Sequence, residues 1–477
     1  MAAAYNAIST DQLGRDLMMR SVASFTANIK PLRDAKRIVI AVSGGRDSMA
    51  LAVLAAQYAR EHAVQMLALS VDHGLREASA REAEQTVQWC RGLGLAHKIL
   101  TWQGEKPNTG LQAAARDARY KLLIGEAMAF GADVLVTGHT RDDQAETVYM
   151  RRQRSEGRGL SAMRDAQRVA LAATEPIWLV RPLLDISRQE TTQIVRQAGQ
   201  DFIDDPSNDD MSFERVRARQ ILASDDGRQR DELLALALQT RTKNRRQYED
   251  EESLFTKLNG QLHDWGGASL DVLAPGDEER AGIGGLLARL VRGVGAGAHR
   301  PSHDSVERLL GALIAGKGFT LGGVAVERYR GRVWVFREPA AILGRHGVEP
   351  LTNVELPADS TVLWDQRFII TAKDVSDAYI TPAGAFDLEK EPADRSAARD
   401  GPSPALPKGA YLSVPCVAAR GVGASCGPIA SPLAILNPSR DAKPLNDATN
   451  ALPMNRSGIA FRALNRERFA EDVLRFS

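Results

Sequence analysis

The densest chemistry in this 477-residue chain lies in four short stretches. The first is the turn Ser43-Gly44-Gly45-Arg46-Asp47-Ser48, set between the apolar run RIVIAV (37–42) and a segment with helical spacing. Glycines between a strand and a helix let backbone N–H groups approach an anion, with the helix dipole behind them. Ser43 and Ser48 would add hydroxyl donors. No Lys follows the second glycine, so this is not the lysine-bearing phosphate loop. Asp47 is the informative residue. A carboxylate beside phosphates is repulsive unless a divalent cation bridges them, so Asp47 points to Mg²⁺ on a pyrophosphate. The plainer alternative is an acid favoured in a helix's first turn.

The second stretch is Asp72-His73, at the end of another apolar run. These two residues either cap a turn or touch a nucleoside. The third holds His139, Asp143 and Glu146, spaced i, i+4 and i+7. A helix beginning near 139 would carry an imidazole and two carboxylates on one face. That is a catalytic face, a divalent-metal cluster or a solvated acidic helix start. The fourth is a scatter of arginines. Arg116 and Arg119 sit with Tyr120 on an alanine-rich helix, and Arg151, Arg152, Arg154 and Arg158 surround Gly157. Arg215 and Arg219 share a helix face, while Arg217 points elsewhere. Each group is ordinary helix solubility or a contact to nucleotide or nucleic-acid backbone. The run QTRTKNRR (239–246), followed by EDEE, reads equally as a phosphate contact or as intrahelical ion pairs.

The elements that must position these residues alternate. A short leading helix spans about 10–30, with Ser9 and Thr10 as caps. Strands follow at RIVIAV, VQMLALSVDHG, HKILTW, DVLVTGH and IWLVRPLL. Between them lie helices from Ser48, from Ser79, from a Thr109 cap and, last, from Ser187 to Gly199. Apolar strands alternating with amphipathic helices predict an α/β domain with a doubly wound parallel sheet. The domain reading is a leading helix over 1–35, a nucleotide-binding domain over 36–211, a helical domain over 212–340 and a small mixed or β domain over 341–477. The helical part closes on a hairpin, VAVERYRGRVWVFRE, with Arg-Gly near its turn. A Pro/Ala/Asp-rich segment at about 386–408 reads as a flexible insertion.

Composition bounds the rest. Hydrophobic content of 44% and charged content of 25% fit a soluble globular protein of two or three domains. A net charge of +1 neither demands nor excludes nucleic acid, because a basic face can hide in a balanced total. Cys90, Cys416 and Cys426 form no C-x-x-C pair, which argues against a zinc ribbon, an iron–sulfur cluster or a disulfide framework and points to a reducing cytoplasm. No run approaches the ~18–20 apolar residues of a membrane span.

The turn at 43–48 resembles the S-G-G-x-D-S PP-loop of the N-type ATP pyrophosphatases. Those enzymes cleave ATP between its α and β phosphates and adenylate a substrate oxygen. Within that group the chain is similar to the lysidine synthetases. They carry V-D-H-x-L-R, seen here at 71–76, and G-H-x-x-D-D-Q-x-E-T, seen here at 138–147. The R-D-A-R-Y run at 116–120, R-P-L-L-D at 181–185 and D-D-P-S-N at 204–208 match as well. The likeness is strong over about 37–220, faint over 280–340 and thin beyond. In one departure, Val216 stands where the family usually has Asn between its arginines.

The resemblance implies ATP as substrate, with Mg²⁺. It implies free L-lysine and a CAU-anticodon isoleucine tRNA as the other substrates, and no obligatory protein partner. Ser43, Gly44, Gly45, Arg46, Asp47, Ser48, Asp72 and His73 would bind ATP. Asp47 and Asp143 would hold the metal or the incoming amine, and His139 would lie near the phosphates or the activated base. Arg116, Arg119, Arg151, Arg152, Arg215, Arg217 and Arg219 would meet nucleotide or tRNA. Alanine at Asp47 or Asp143 should abolish turnover and leave the fold intact. The rivals are a tRNA-thiolating relative and a nucleotide-dependent amidotransferase.

Overall fold

The computed structural model describes residues 29–74, 77–107, 109–154, 158–171, 174–204, 210–224, 227–272, 277–295, 297, 300–344, 349–373, 378–382, 406–419, 459–464 and 473–476. The expected leading helix over 10–30, the residues 205–209 and nearly all of 386–408 therefore lie outside the described residues. The chain packs as two compact units, 1–245 with 473–477, and 246–472.

The first unit is built on a seven-stranded sheet. Its strands are β1 (Arg37–Ala41), β2 (Gln65–Asp72), β3 (Ala96–Thr101), β4 (Val134–Thr137), β5 (Ala166–Leu171), β6 (Ile177–Val180) and β18 (Val473–Phe476), in the order β18-β5-β6-β4-β1-β2-β3. All neighbours pair in parallel except β5 with β6. Ile38, Val39 and Ile40 of β1 are all fully buried, so this strand is covered on both faces, as a central parallel strand must be.

Helix α1 (Arg46–His62) covers one face with Met49, Leu51 and Leu54. After α2 (Glu77–Gly92), α3 (Leu111–Ala129) covers the other with Leu123, Ile124 and Ala127. The strand order runs outward from β1 in both directions. The crevice between the carboxyl ends of β1 and β4 is thus the topological switch point, where ligands of such sheets bind. Three more helices complete the unit's wall: α4 (Arg141–Arg152), α5 (Arg188–Gln197) and α6 (Glu214–Ala223).

Three details differ from expectation. Strand β5 runs against its neighbour, in a stretch with no strict apolar alternation. Strand β18 comes from the last residues of the chain to pair with β5, a partnership that no local pattern announces. Helix α3 starts after Gly110, in the left-handed region at φ 67°, and no side chain caps it, so Thr109 does not have the role its type suggested.

The second unit begins within the long helix α7 (Arg228–Lys257). It contains a five-stranded antiparallel sheet of β7 (Gln261–Leu262), β8 (Ala268–Asp271), β11 (Arg332–Arg337), β10 (Val324–Tyr329) and β9 (Phe319–Leu321). Helices α8 (Asp277–Val294) and α9 (His303–Ile314) pack on it through Leu286, Leu290, Leu309 and Leu313. The expected hairpin is β10–β11. Arg330 and Gly331 both take positive φ, 48° and 76°, the conformation of a two-residue primed turn that matches strand twist. Two three-stranded antiparallel sheets follow, one of Val354–Leu356, Ala378–Pro382 and Pro415–Ala419 and one of Thr361–Trp364, Phe368–Ala372 and Ile459–Ala463. Among the described residues no helix is long and apolar enough to cross a membrane.

Candidate active site

The first turn of α1 points its unpaired amides into the switch-point crevice. Gly44 has φ +83°, and a Cβ there would lie 2.4 Å from Thr86 Oγ1 and 2.5 Å from Ile203 Cδ1. Only glycine satisfies both constraints. Gly138 meets a third: its Cβ would stand 3.0 Å from the Asp47 carbonyl, so glycine lets the β4–α4 loop close on the turn. The serines are not free donors. Ser48 Oγ donates to the Gly45 carbonyl at 2.7 Å and accepts from Ser43 N at 3.1 Å and Ser43 Oγ at 3.2 Å. Both hydroxyls brace the turn, leaving the anion to the backbone.

Helices α4 and α5 begin beside α1. Thr140 closes a capping box with Asp143, and Ser187 closes one with Glu190. The two starts are latched together: Arg141 N donates to Ile186 O at 2.9 Å, and Arg188 N to Asp142 Oδ2 at 2.7 Å. His139 therefore precedes α4 instead of sharing its face. It is held by a 2.9 Å hydrogen bond between its Nδ1 and Thr137 Oγ1, and it still lines the same cavity as Asp143.

An ion cluster forms the cavity wall. Asp143 uses Oδ2 for its cap, accepting from Thr140 N at 2.7 Å, and turns Oδ1 to Arg188 at 3.1 Å and Arg215 at 2.9 Å. Glu146, fully buried, accepts from Arg188 at 3.0 Å, Arg215 at 2.8 Å and Arg219 at 3.0 Å. Asp47 accepts from Thr191 Oγ1 at 2.5 Å and Arg188 Nε at 3.4 Å. Asp143 thus caps α4 through one oxygen and joins the ion cluster through the other. Arg188 was missed. Its only sequence signal was its place directly after the capping Ser187.

Across the cavity the charge is positive. Arg119 makes no ion pair among the described residues, and burial, then the neighbouring Arg116 and Arg215, pull its guanidinium below its ordinary range. Burial, then Arg181, Arg119, Arg215 and Arg116, hold His139 well below the usual imidazole value, so it is neutral near pH 7. Tyr120 is opposed by burial, yet Arg116, Arg119 and Arg181 bring its phenol down. Such a field suits a polyanionic ligand.

This polar cavity has a volume of about 570 Å³. A second of about 780 Å³ adjoins it, sharing Ala41, Ser43, Glu82 and Arg119, and is walled by Leu69, Val71, Leu111 and Leu123. Together they pair a charged compartment with an apolar one, the division a nucleotide requires. Asp72 caps its own turn, accepting from Gly74 N at 2.8 Å and Ser79 Oγ at 2.7 Å. His73 lines the apolar compartment with a buried Nδ1 that has no partner among the described residues. Burial, then Arg119, lowers its pKa.

Asp47 and Asp143, both on Arg188, are the carboxylates placed to meet a cation. Among the described residues no three or more His, Cys, Asp or Glu side chains form a metal-ligating group. Two carboxylates on one cavity wall are the donor set that Mg²⁺ takes alongside phosphate oxygens and water.

Other arginines lie elsewhere. Arg217 is exposed and donates to Met211 O and Ser212 O, bracing its own loop outside the cavity. Arg151 donates to Gly159 O at 2.7 Å and holds the turn after α4. Arg154 pairs with Glu214. Arg116 stacks its guanidinium over Tyr120 at 5.1 Å. Arg152 is exposed. Val216 is buried on the inward face of α6, so Arg215 and Arg219 reach Glu146 without an Asn between them.

Comparison with known proteins gives a consistent picture. Residues 17–225 match the model of the PP-loop domain. A tRNA(Ile)-lysidine synthase of Mesorhizobium japonicum is 36% identical over 431 residues, covering 85% of this chain and 90% of the relative. The protein of the same name from Rhizobium meliloti is 36% identical over 371 residues, 71% of this chain and 74% of the relative. That of Bradyrhizobium diazoefficiens is 46% identical over 194 residues, 40% of this chain and 52% of the relative.

Proposed function

This chain belongs to the tRNA(Ile)-lysidine synthase family, and from that premise we propose how its pocket performs an ATP-dependent ligation on tRNA(Ile). The enzyme is a carbon–nitrogen ligase. Its target is the wobble cytidine of a CAU anticodon, its nucleophile is free lysine, and it works in the cytoplasm without an obligatory protein partner. The observation that carries the reading is the meeting of three things in one crevice: the α1 amides, the Asp47–Asp143 carboxylates and a neutral His139.

ATP lies across both compartments, its adenosine against Leu69 and Val71 beside His73 and its phosphates toward the Gly44–Gly45 turn. The cytidine, splayed from the anticodon stack as single-stranded RNA recognition requires, offers its carbon-2 oxygen to the α-phosphorus. The bond to the β-phosphate oxygen breaks, and pyrophosphate leaves with its charge met by the turn amides and Arg119. Mg²⁺ held by Asp47 and Asp143 would neutralise the phosphates. The lysine ε-ammonium, with an ordinary pKa of about 10.4, must lose a proton before it attacks. Asp143 holds the ammonium and helps to deprotonate it. The amine then bonds to carbon 2 as the bond to AMP breaks. Arg116, Arg151 and Arg152 line the RNA path, and the regions 212–340 and 341–477 hold the rest of the tRNA through phosphate contacts.

The rivals are not favoured. The Cys90 thiol is buried in the core, and burial pushes it up to about 12, so it offers no thiolate to the pocket. Cys416 is buried in the second unit. The experiment is a half-reaction. Without lysine, α-labelled ATP should transfer label to the CAU tRNA, and added lysine should release it as AMP. Transfer to a tRNA with uridine at the wobble position, or none to the CAU tRNA, would contradict the reading.

A further inference from the structure

Arg188 has no part in the chemistry above, yet it is the most constrained cation in the site. Its guanidinium reaches Asp47 at 3.4 Å, Asp143 at 3.1 Å and Glu146 at 3.0 Å from three different nitrogens, and its side chain is 15% exposed. Its backbone is pinned by the Ser187 capping box and by Asp142, so the fork has one orientation. Two of its three partners are the carboxylates that face the phosphates. A guanidinium is a planar, permanently charged donor, and here it stands where the countercharge of a phosphate-bound cation is needed. Arg46 at 3.6 Å from Asp47 and Arg215 at 2.9 Å from Asp143 each serve one carboxylate, whereas Arg188 contacts both.

We propose that Arg188 is a positioning residue that acts as the resident counter-ion of Asp47 and Asp143, competing with a divalent cation until ATP brings one in. The inference rests on the assignment of the phosphates to this cavity. It makes the site cation-poor when ATP is absent and couples metal entry to nucleotide entry. The 3.4 Å bond to Asp47 is the longest of the three and is the one released first. The bond to Glu146 keeps α4 and α5 in register while Asp47 and Asp143 turn to the metal.

The test is Mn²⁺ binding to the ATP-free, full-length protein, followed by electron paramagnetic resonance. Arg188→Gln should bind Mn²⁺ about tenfold tighter than wild type, because a positive charge within hydrogen-bond distance of both carboxylates is gone. Arg188→Lys restores the charge but not the three-way fork, so its affinity should fall between the two. Circular dichroism melting checks that each variant folds. Should the Gln protein not fold, the Lys protein still decides, since it must bind Mn²⁺ tighter than wild type. A folded variant that binds Mn²⁺ no tighter than wild type, or a Lys variant as tight as Gln, overturns the role. A purely structural brace predicts weaker binding, the opposite sign. Wild-type lysidine formation is scored in parallel. If it is present and the Mn²⁺ affinity does not move, the counter-ion role alone falls. If it is absent and the affinity rises, the role stands and the reaction assigned to the site falls.

Discussion

Glu146 is the residue whose loss should be felt most in the fold of the site. It is 1% exposed and accepts from Arg188 on α5 and from Arg215 and Arg219 on α6, at 3.0, 2.8 and 3.0 Å. Glu146→Gln keeps its shape, removes its charge and turns an NH₂ group toward donors. Breaking a buried pair from one side costs about 3–5 kcal/mol, because the partner charges stay behind. The Arg215 and Arg219 side chains are 37% and 31% exposed, so solvent screens part of that cost. The lower end, about 3 kcal/mol, is therefore the expectation. For a unit of this size each kcal/mol moves the melting temperature by about 2–4 °C, which gives a fall of about 6–12 °C. Differential scanning calorimetry of both proteins at pH 7.5 reads it, taking the transition of the first unit. Glu146→Asp, which keeps the charge on a shorter arm, should fall between them. A Gln variant melting within about 2 °C of wild type would refute the idea that this carboxylate anchors α6 to α4.

Other substitutions separate chemistry from architecture. Asp47→Asn should lower tRNA-dependent AMP release on the order of 1,000-fold, about 4 kcal/mol of barrier, with a melting temperature near wild type; a tenfold loss or less would remove Asp47 from the metal role. Asp143→Ala should lose activity and also at least about 1 kcal/mol of stability, since Asp143 closes the α4 capping box and accepts from Arg188 and Arg215; urea unfolding beside the activity assay shows whether both effects occur. Gly44→Ala should cost at least about 2 kcal/mol and abolish ATP binding, because it combines a positive φ with a clash; calorimetric ATP titration at wild-type affinity would contradict this. Burial, then Arg91, lowers His97 from 6.5 to about 4. The unfolded chain then binds a proton that the fold refuses, so stability is full above pH 6.5 and falls toward pH 4. His97→Gln should flatten that part of the urea-stability curve against pH, and an unchanged slope would refute the assignment.

The central sheet was legible because each of its inner strands is a short apolar run, and because the segments between them have helical spacing. Ser187 with Glu190 is a capping box that can be read directly. The edge was not legible: β18 is four residues long and its partner lies about 300 residues away, so only tertiary pairing selects it. In the site, Gly45, Asp47, His139, Asp143, Arg215 and Arg219 all line one cavity. Spacing misled where a helix began later than assumed, which moved His139 off the α4 face. It also could not show that Ser43 and Ser48 spend their hydroxyls on each other. Arg188 was invisible for a physical reason. An arginine after a helix cap is common on surfaces, and only three-dimensional convergence of Asp47, Asp143 and Glu146 marks it out.

The account's central claim is that one cavity adenylates a wobble cytidine and then joins lysine to it. The direct measurement is incubation of the purified protein with ATP, Mg²⁺, radiolabelled lysine and CAU-anticodon tRNA(Ile). The account predicts acid-stable label in the RNA with release of AMP and pyrophosphate, and none when the wobble cytidine is replaced by uridine. AMP release without label in the RNA would contradict the lysine step, and no tRNA-dependent AMP at all would contradict the whole.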